Sequence, residues 1–343
     1  MRERLQPWLR HAGTIAIFGG LVFDAIILER IDLWWSNALI ALYLAIAFIG
    51  FTLNLRRPEN TWALLIAQFA IGSLFKSFTI FYWNSGSLAA SWPFLLLFFA
   101  LFAGNEFFHR SYEVLAFRFI VLFLSLDFFL IFYLPIVFGR LGADLFLLAQ
   151  VGSFGLMFLY FRPLRRWLGI FQDARKRRQV GLNLLVAAAL VTTLYFTNIL
   201  PPVPLSLKDV GIYHSITKVG NVYRVTTEPT SWRDWLRWEP VIHQAPNTVL
   251  YAYSAVFAPT KLTTTIIHEW QHYNETSKKW VTTARVPLTI AGGRDGGYRG
   301  YSLTTVNSGN WRVNIETERG QLIGRVKFKV EAGTSKLTGK VLE

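Results

Sequence analysis

From Val180 to Leu200 the chain carries no charged residue, and a helix of that length matches a hydrocarbon core about 30 Å thick. A segment like this must hide apolar surface along its whole length, so it is expected to span a membrane. The basic run Arg175–Gln179 precedes it, and Pro201, Pro202 and Pro204 follow it. Proline lacks the amide hydrogen that continues a helix, so the span should end at Leu200. Lys and Arg accumulate on the cytoplasmic side. That places Val180 at the inner face and the chain after Pro201 outside the cytoplasm.

Further apolar segments lie at 12–29, 37–55, 62–82, 88–108, 115–138 and 141–161. With 180–200 they make seven expected spans, and the sequence predicts a seven-helix transmembrane domain over residues 1–201. The loops alternate in charge as the rule requires. Arg2, Arg4 and Arg10 precede the first span, Arg56 and Arg57 follow the second, Arg110 follows the fourth, and a dense basic cluster follows the sixth. An odd number of spans puts the N-terminus in the cytoplasm and the C-terminal part outside. The first apolar run follows basic residues as a signal peptide's would, but ERIDLWW comes after it where small cleavage-site residues would stand, so this helix is expected to be retained. The formal charge of +14 follows from cytoplasmic Lys and Arg and calls for no nucleic-acid partner. A multi-pass protein of the inner (cytoplasmic) membrane of a bacterial envelope is the expectation.

Charges inside spans cost about 2.5 to 3.5 kcal/mol each on insertion scales, which singles out Asp24, Lys76 and Asp127. All three are expected at mid-depth, where they either form a buried ion pair that fixes helix packing or line a ligand or proton site. The loop Arg162–Gln179 carries Trp167, Leu168, Ile170 and Phe171 among its basic residues. It sets topology, and as an amphipathic helix it could also lie on anionic lipid.

After Pro204 the period of the hydrophobic pattern becomes two. IYHSITKV and VYRVTTE flank Gly220–Asn221, a hairpin signal. SWRDWLRWEP spaces Trp232, Trp235 and Trp238 three apart, as on one side of a short helix. Strands are then expected at about 249–257, 261–273, 280–290, 298–306, 309–316 and 321–330. Their spacing predicts an antiparallel β-sandwich. The chain therefore divides into 1–201, a linker of hairpin and Trp-rich segment at 202–248, and an extracytoplasmic β-sandwich with a flexible tail at 249–343. With no cysteine, this domain cannot rely on disulfides and must fold on its own core. Gly292–Gly300 is expected to be a flexible loop.

His268–His272 spells HEWQH, the H-E-x-x-H pattern of zinc peptidases, which works only on a helix, where both histidines share a face. Here Thr263 to Ile267 are five consecutive β-branched residues, so a strand is expected. The histidines would then stand roughly 13 Å apart with Glu269 on the opposite, solvent face. No later histidine completes a ligand set, and neither metal nor other cofactor is expected.

The HEW strand, YRGYSLTTV with Arg299 and Ser302, GNWRVNI with Gly309, Trp311, Arg312 and Val313, and RGQLIGRVKFKV with Gly320 and Phe328 together resemble domain of unknown function 2914, a module of bacterial membrane and envelope proteins. The resemblance runs from His268 to Val330. It implies a β-domain in which Trp270 sits on a strand, and it brings no activity. Trp311, Val313 and Ile315 alternate onto one face as core, which leaves Arg312 facing solvent. Trp270, Trp311 and Arg299 are also candidate ligand contacts, since exposed aromatic rings beside arginine suit a glycan or peptide, but the core is the favoured place for a tryptophan in a sandwich. The favoured function is a membrane-anchored binding or scaffold module for an envelope glycan or protein, without catalysis. A small-molecule transporter or sensor using Asp24, Lys76 and Asp127 is the alternative, and a zinc metallopeptidase the least favoured.

Overall fold

The computed structural model describes residues 32–85, 90–96, 114–169, 172–220, 222–229, 239–245 and 247–342. The expected first span with Asp24, most of the fourth, and the Trp232–Trp238 segment lie outside the described residues. The chain divides into two compact units. One comprises Met1–Trp83, Pro93–Val137 and Gly142–Phe196, and the other Asn84–Trp92, Phe138–Leu141 and Thr197–Glu343.

Among the described residues, five helices are long and apolar enough to cross a membrane: α1 Trp34–Arg56, α2 Thr61–Ser85, α3 Leu115–Phe138, α4 Ala143–Leu168 and α5 Ala174–Phe196. A further helical stretch covers 90–96. The helices are apolar around most of their circumference, as residues facing lipid on one side and protein on the other must be. In lipid, close packing and buried polar contacts hold helices together. Gly50 of α1 meets α2 closely, since a Cβ there would come within 2.8 Å of the Ala63 carbonyl and 2.9 Å of Ala67 Cβ. Phe78, Phe81, Phe128 and Phe132 interlock α2 with α3 at tilted and edge-to-face angles, their ring centroids 5.6 to 6.2 Å apart. Arg118 near the start of α3 is buried, donates to Asn54 Oδ1 at 2.8 Å and lies over the Phe51 ring.

The second unit is strand-rich. In chain order it holds β1 Ser206–Tyr213, β2 Ser215–Val219, β3 Val222–Thr227, β4 Val241–Gln244, β5 Thr248–Phe257, β6 Thr263–Asn274, β7 Lys279–Ala291, β8 Tyr298–Val306, β9 Gly309–Thr317, β10 Leu322–Ala332 and β11 Thr338–Leu342. These form three sheets, ordered β1-β5-β8, β4-β10-β9-β6-β7 and β11-β3-β2. Every pairing is antiparallel except β4 with β10.

Burial along β5 explains the layering. Leu250, Ala252 and Val256 join cores with Trp270, Trp311, Phe328, Ile266 and Ile315 of the five-stranded sheet. Tyr253 and Ala255 join a third core with Tyr213, Ile216, Tyr223, Val225 and Leu342. A strand buried on both faces loses its alternation, and β5 reads TVLYAYSAVF accordingly.

Two boundaries differ from the sequence reading. Within 202–248 the expected hairpin is formed by β2 and β3, while the other described strands there, β1 and β4, pair with β5 and β10 and so belong to the strand-rich unit. The C-terminal tail is likewise strand β11 over Thr338–Leu342. Gly292–Gly300, expected as a loose loop, is pinned: Gly292 N–H donates to Leu262 O, Gly293 N–H donates to Ala258 O, and Gly297, at φ +82°, turns the chain against the β5 backbone.

Candidate functional site

The HEWQH stretch lies within β6, an extended strand, so the residues alternate between faces. On the core side His268 is fully buried. Its Nε2 contacts Ser254 Oγ at 2.7 Å and its Nδ1 contacts Ser302 Oγ at 2.9 Å, while Trp270 Nε1 donates to Ser302 Oγ at 2.9 Å. Both ring nitrogens are thus engaged by serines of β5 and β8. Burial holds this imidazole well below its ordinary range, at about 4. Among the described residues no group of three His, Cys, Asp or Glu is placed to hold a metal ion.

Trp270 and Trp311, considered above as ligand contacts, are 0% and 3% exposed and pack with Phe328 and Val313. Trp311 Nε1 donates to Asn307 O at 2.8 Å, so each indole N–H is spent inside the fold. Arg299 lies on β8 in a different sheet, where its carbonyl accepts from Tyr223 Oη at 3.2 Å.

The opposite face of the five-stranded sheet carries the chemistry. Cross-strand register aligns Arg285, Glu269, Asn314 and Arg325 in one row, and Thr282, Gln271, Arg312 and Lys327 in the next. Glu269 is buried. It accepts from Thr282 Oγ1 at 2.9 Å and from Asn314 Nδ2 at 3.0 Å. The solvent-facing carboxylate expected from strand alternation is thus a buried acceptor, held between Thr282 of β7 and Asn314 of β9. Arg285 donates to Glu316 at 2.7 Å, Arg325 to Asn314 Oδ1 at 2.6 Å and Arg312 to Gln271 Oε1 at 2.6 Å. Arg312, expected in solvent, is half-buried, with its guanidinium 4.4 Å from the Trp280 ring centroid, and Trp280 meets Tyr273 edge-on. Burial first, then the charge of Glu269, push the Glu316 carboxyl up to about 6, while Arg285 and Arg325 pull it back. Glu316 lies deeper than its base, 9% exposed against 50% for Arg285, whereas Lys327 and Lys329 pair with the exposed acids Glu239 and Glu331 at 3.5 and 2.8 Å.

In the helical unit, Asp127 is fully buried on α3 and accepts from Gln150 Nε2 at 2.8 Å and Ser153 Oγ at 2.9 Å, both on α4. Its hydrogen bonds come from these neutral donors rather than from Lys76, the partner expected from sequence. Lys76 is buried on α2.

Residues 263–330 match the family model described as "Protein of unknown function (DUF2914)". The C-terminal domain contains a DUF2914 module. The match begins at the first residue of β6 and ends within β10, so the DUF2914 segment supplies four of the five strands of the polar-faced sheet, plus β8. A comparison with curated proteins found no match. Among solved structures, a β-glucosidase from Listeria innocua in complex with gluconolactone is similar at 9% identity and TM-score 0.21, covering 37% of this chain and 16% of its own. A β-glucosidase from Kluyveromyces marxianus gives 6% identity and TM-score 0.18, covering 38% and 15%. Pseudomonas fluorescens alkylpurine DNA glycosylase AlkC bound to DNA with an abasic site analog gives 9% and 0.23, covering 88% and 83%. Likenesses this distant carry no weight for the fold or function of this protein. The Arg/Trp/Glu lattice on the polar face was not singled out from sequence. The alternation Glu269, Gln271, Tyr273 and Arg312, Asn314, Glu316 held the signal, but it needed the strand register to be read.

Proposed function

We propose that this protein is a seven-span inner-membrane anchor that presents its DUF2914-containing domain, a sandwich of facing sheets, outside the cytoplasm as a binding module for an acidic envelope glycan. The observation that carries this reading is the layering of charge on the outer face of the five-stranded sheet. Glu269 and Glu316 are buried and hold the surrounding side chains in place, while Arg285 reaches outward and Lys327 and Lys329 stand at the surface beside Glu239 and Glu331. Anchored cations beside Gln271 and the Trp280–Tyr273 pair offer charge, amide hydrogen bonds and apolar ring edges to a carboxylated sugar. The module is proposed to bind without catalysis. The span count and the alternation of basic loops support the extracytoplasmic placement.

The test uses the full-length protein in detergent and insoluble peptidoglycan. Retention should fall on W280A and on R312A, weaken with salt, and persist in R299A. Equal retention in all variants would refute the assignment, and capture of an acidic protein with no glycan retention would move the module to a protein partner. A reporter fused after Glu343 should be active only outside the cytoplasm; activity inside would remove the topology.

A further inference from the structure

At one end of the helical unit, α4 and α5 bound a cleft of about 530 Å3. Helix α4 lines it with Phe158, Phe161, Arg162 and Arg165, spaced i, i+3, i+4 and i+7, and so on a single face. Helix α5 completes it with Arg177, Val180 and Gly181, spaced i, i+3 and i+4. A second recess of about 520 Å3 shares Arg162 and Arg165 and adds Arg166 and Gln172. We infer that this cleft is a binding site for an anionic phospholipid of the phosphatidylglycerol type: the phosphodiester between Arg162, Arg165 and Arg177, the glycerol headgroup beside Gln172, and the acyl chains running along Phe158 and Val180.

The parts of the site divide as the parts of such a lipid do. Cations gather where the two recesses meet, and among the described residues no acid lines either recess. The neighbouring acid, Asp173, is engaged at the start of α5, where its Oδ1 accepts from the Arg175 amide at 2.8 Å. The positive end of the α5 dipole adds to the field. The arginines in the last turn of α4 also complement that helix's negative end, but a dipole needs no apolar cleft beside it. Phe158, Leu182, Leu185 and Val186, each more than half exposed, continue the apolar surface away from the arginines, as acyl chains require and free phosphate does not. The sequence-based expectation of a separate amphipathic helix over 162–179 is replaced here, because Arg162–Leu168 completes α4, Gly169 caps it in the left-handed conformation, and α5 begins at Ala174.

Gly181 makes the proposal testable without damage to the fold. A Cβ at this position would meet no heavy atom within 4 Å, so G181L should fold and fill the cleft. Full-length protein in neutral detergent is titrated with dioleoyl phosphatidylglycerol, dioleoyl phosphatidylcholine or glycerol 3-phosphate, with Tm followed by tryptophan fluorescence. Phosphatidylglycerol alone should raise Tm saturably. R165Q and R177Q should each raise the half-saturating lipid concentration roughly fivefold, as expected for one basic residue at an anionic surface. G181L should abolish the shift while its lipid-free Tm matches the wild type. Equal stabilisation by both lipids, an undiminished shift in G181L, or saturation by glycerol 3-phosphate would overturn the site.

Discussion

Buried His268 makes stability depend on pH with a sign fixed by its environment. Its imidazole is held at about 4 against an ordinary 6.5 because burial disfavours the charged form. Above 6.5 both folded and unfolded states are neutral, and the His268 contacts contribute fully. Between 6.5 and 4 the unfolded state takes up a proton that the folded state refuses, so stability falls as pH falls. The gap of about 2.5 units at about 1.36 kcal/mol per unit gives roughly 3 kcal/mol lost by pH 4, a large part of a typical domain's 5 to 15 kcal/mol. Other groups titrate in the same range, so the comparison is with H268Q, whose amide offers a donor and an acceptor to Ser254 and Ser302 but takes no proton. Urea unfolding of full-length protein in detergent, followed by tryptophan fluorescence from pH 7.5 to 4, should show wild type losing about 3 kcal/mol more than H268Q. The His268 ring resonances should not titrate near 6.5. A midpoint near 6.5, or parallel curves for the two proteins, would refute the argument.

Removing Trp311, which is 3% exposed and packs against His272 at 4.8 Å, should cost about 3 to 5 kcal/mol in W311A, measured by the same unfolding assay. E269Q should cost about 1 to 3 kcal/mol, because the charge-assisted bonds that the buried carboxylate accepts from Thr282 and Asn314 become weaker neutral ones; unchanged stability would show that Glu269 is in solvent. In double-mutant cycles, D127L should couple with S153A by about 0.5 to 3 kcal/mol, and D127L with K76M should be additive, since Asp127 is held by Ser153 and Gln150. Excess zinc or chelator should leave the melting of the protein unchanged; stoichiometric zinc with peptide hydrolysis abolished in E269Q would bring the peptidase reading back.

Period and composition determine much of this molecule by themselves. Predominantly apolar runs long enough to cross a bilayer announced α1 to α5, since each helix meets its backbone needs internally and its signal is local, although α5 starts at Ala174 within the basic run and ends at Phe196. Alternation located β5 to β10 to within a few residues, and the β-branched run before His268 was enough to make HEWQH a strand, because β-branching acts at the residue itself. The parallel pairing of β4 with β10 and the capture of the last strand by β3 were decided by the tertiary structure, as they join segments about 90 to 110 residues apart and leave no periodic trace in either segment. The same holds for charges. A charged residue in a span can be seen in one dimension, but whether Asp127 meets Lys76 or Ser153 depends on helix rotation, which a nearly uniform apolar helix does not record. Alternation put Glu269 and Arg312 on the outer face of their sheet correctly. It could not show that the acid is buried there, because its partners Thr282 and Asn314 come from the two flanking strands, whose register only the folded sheet sets.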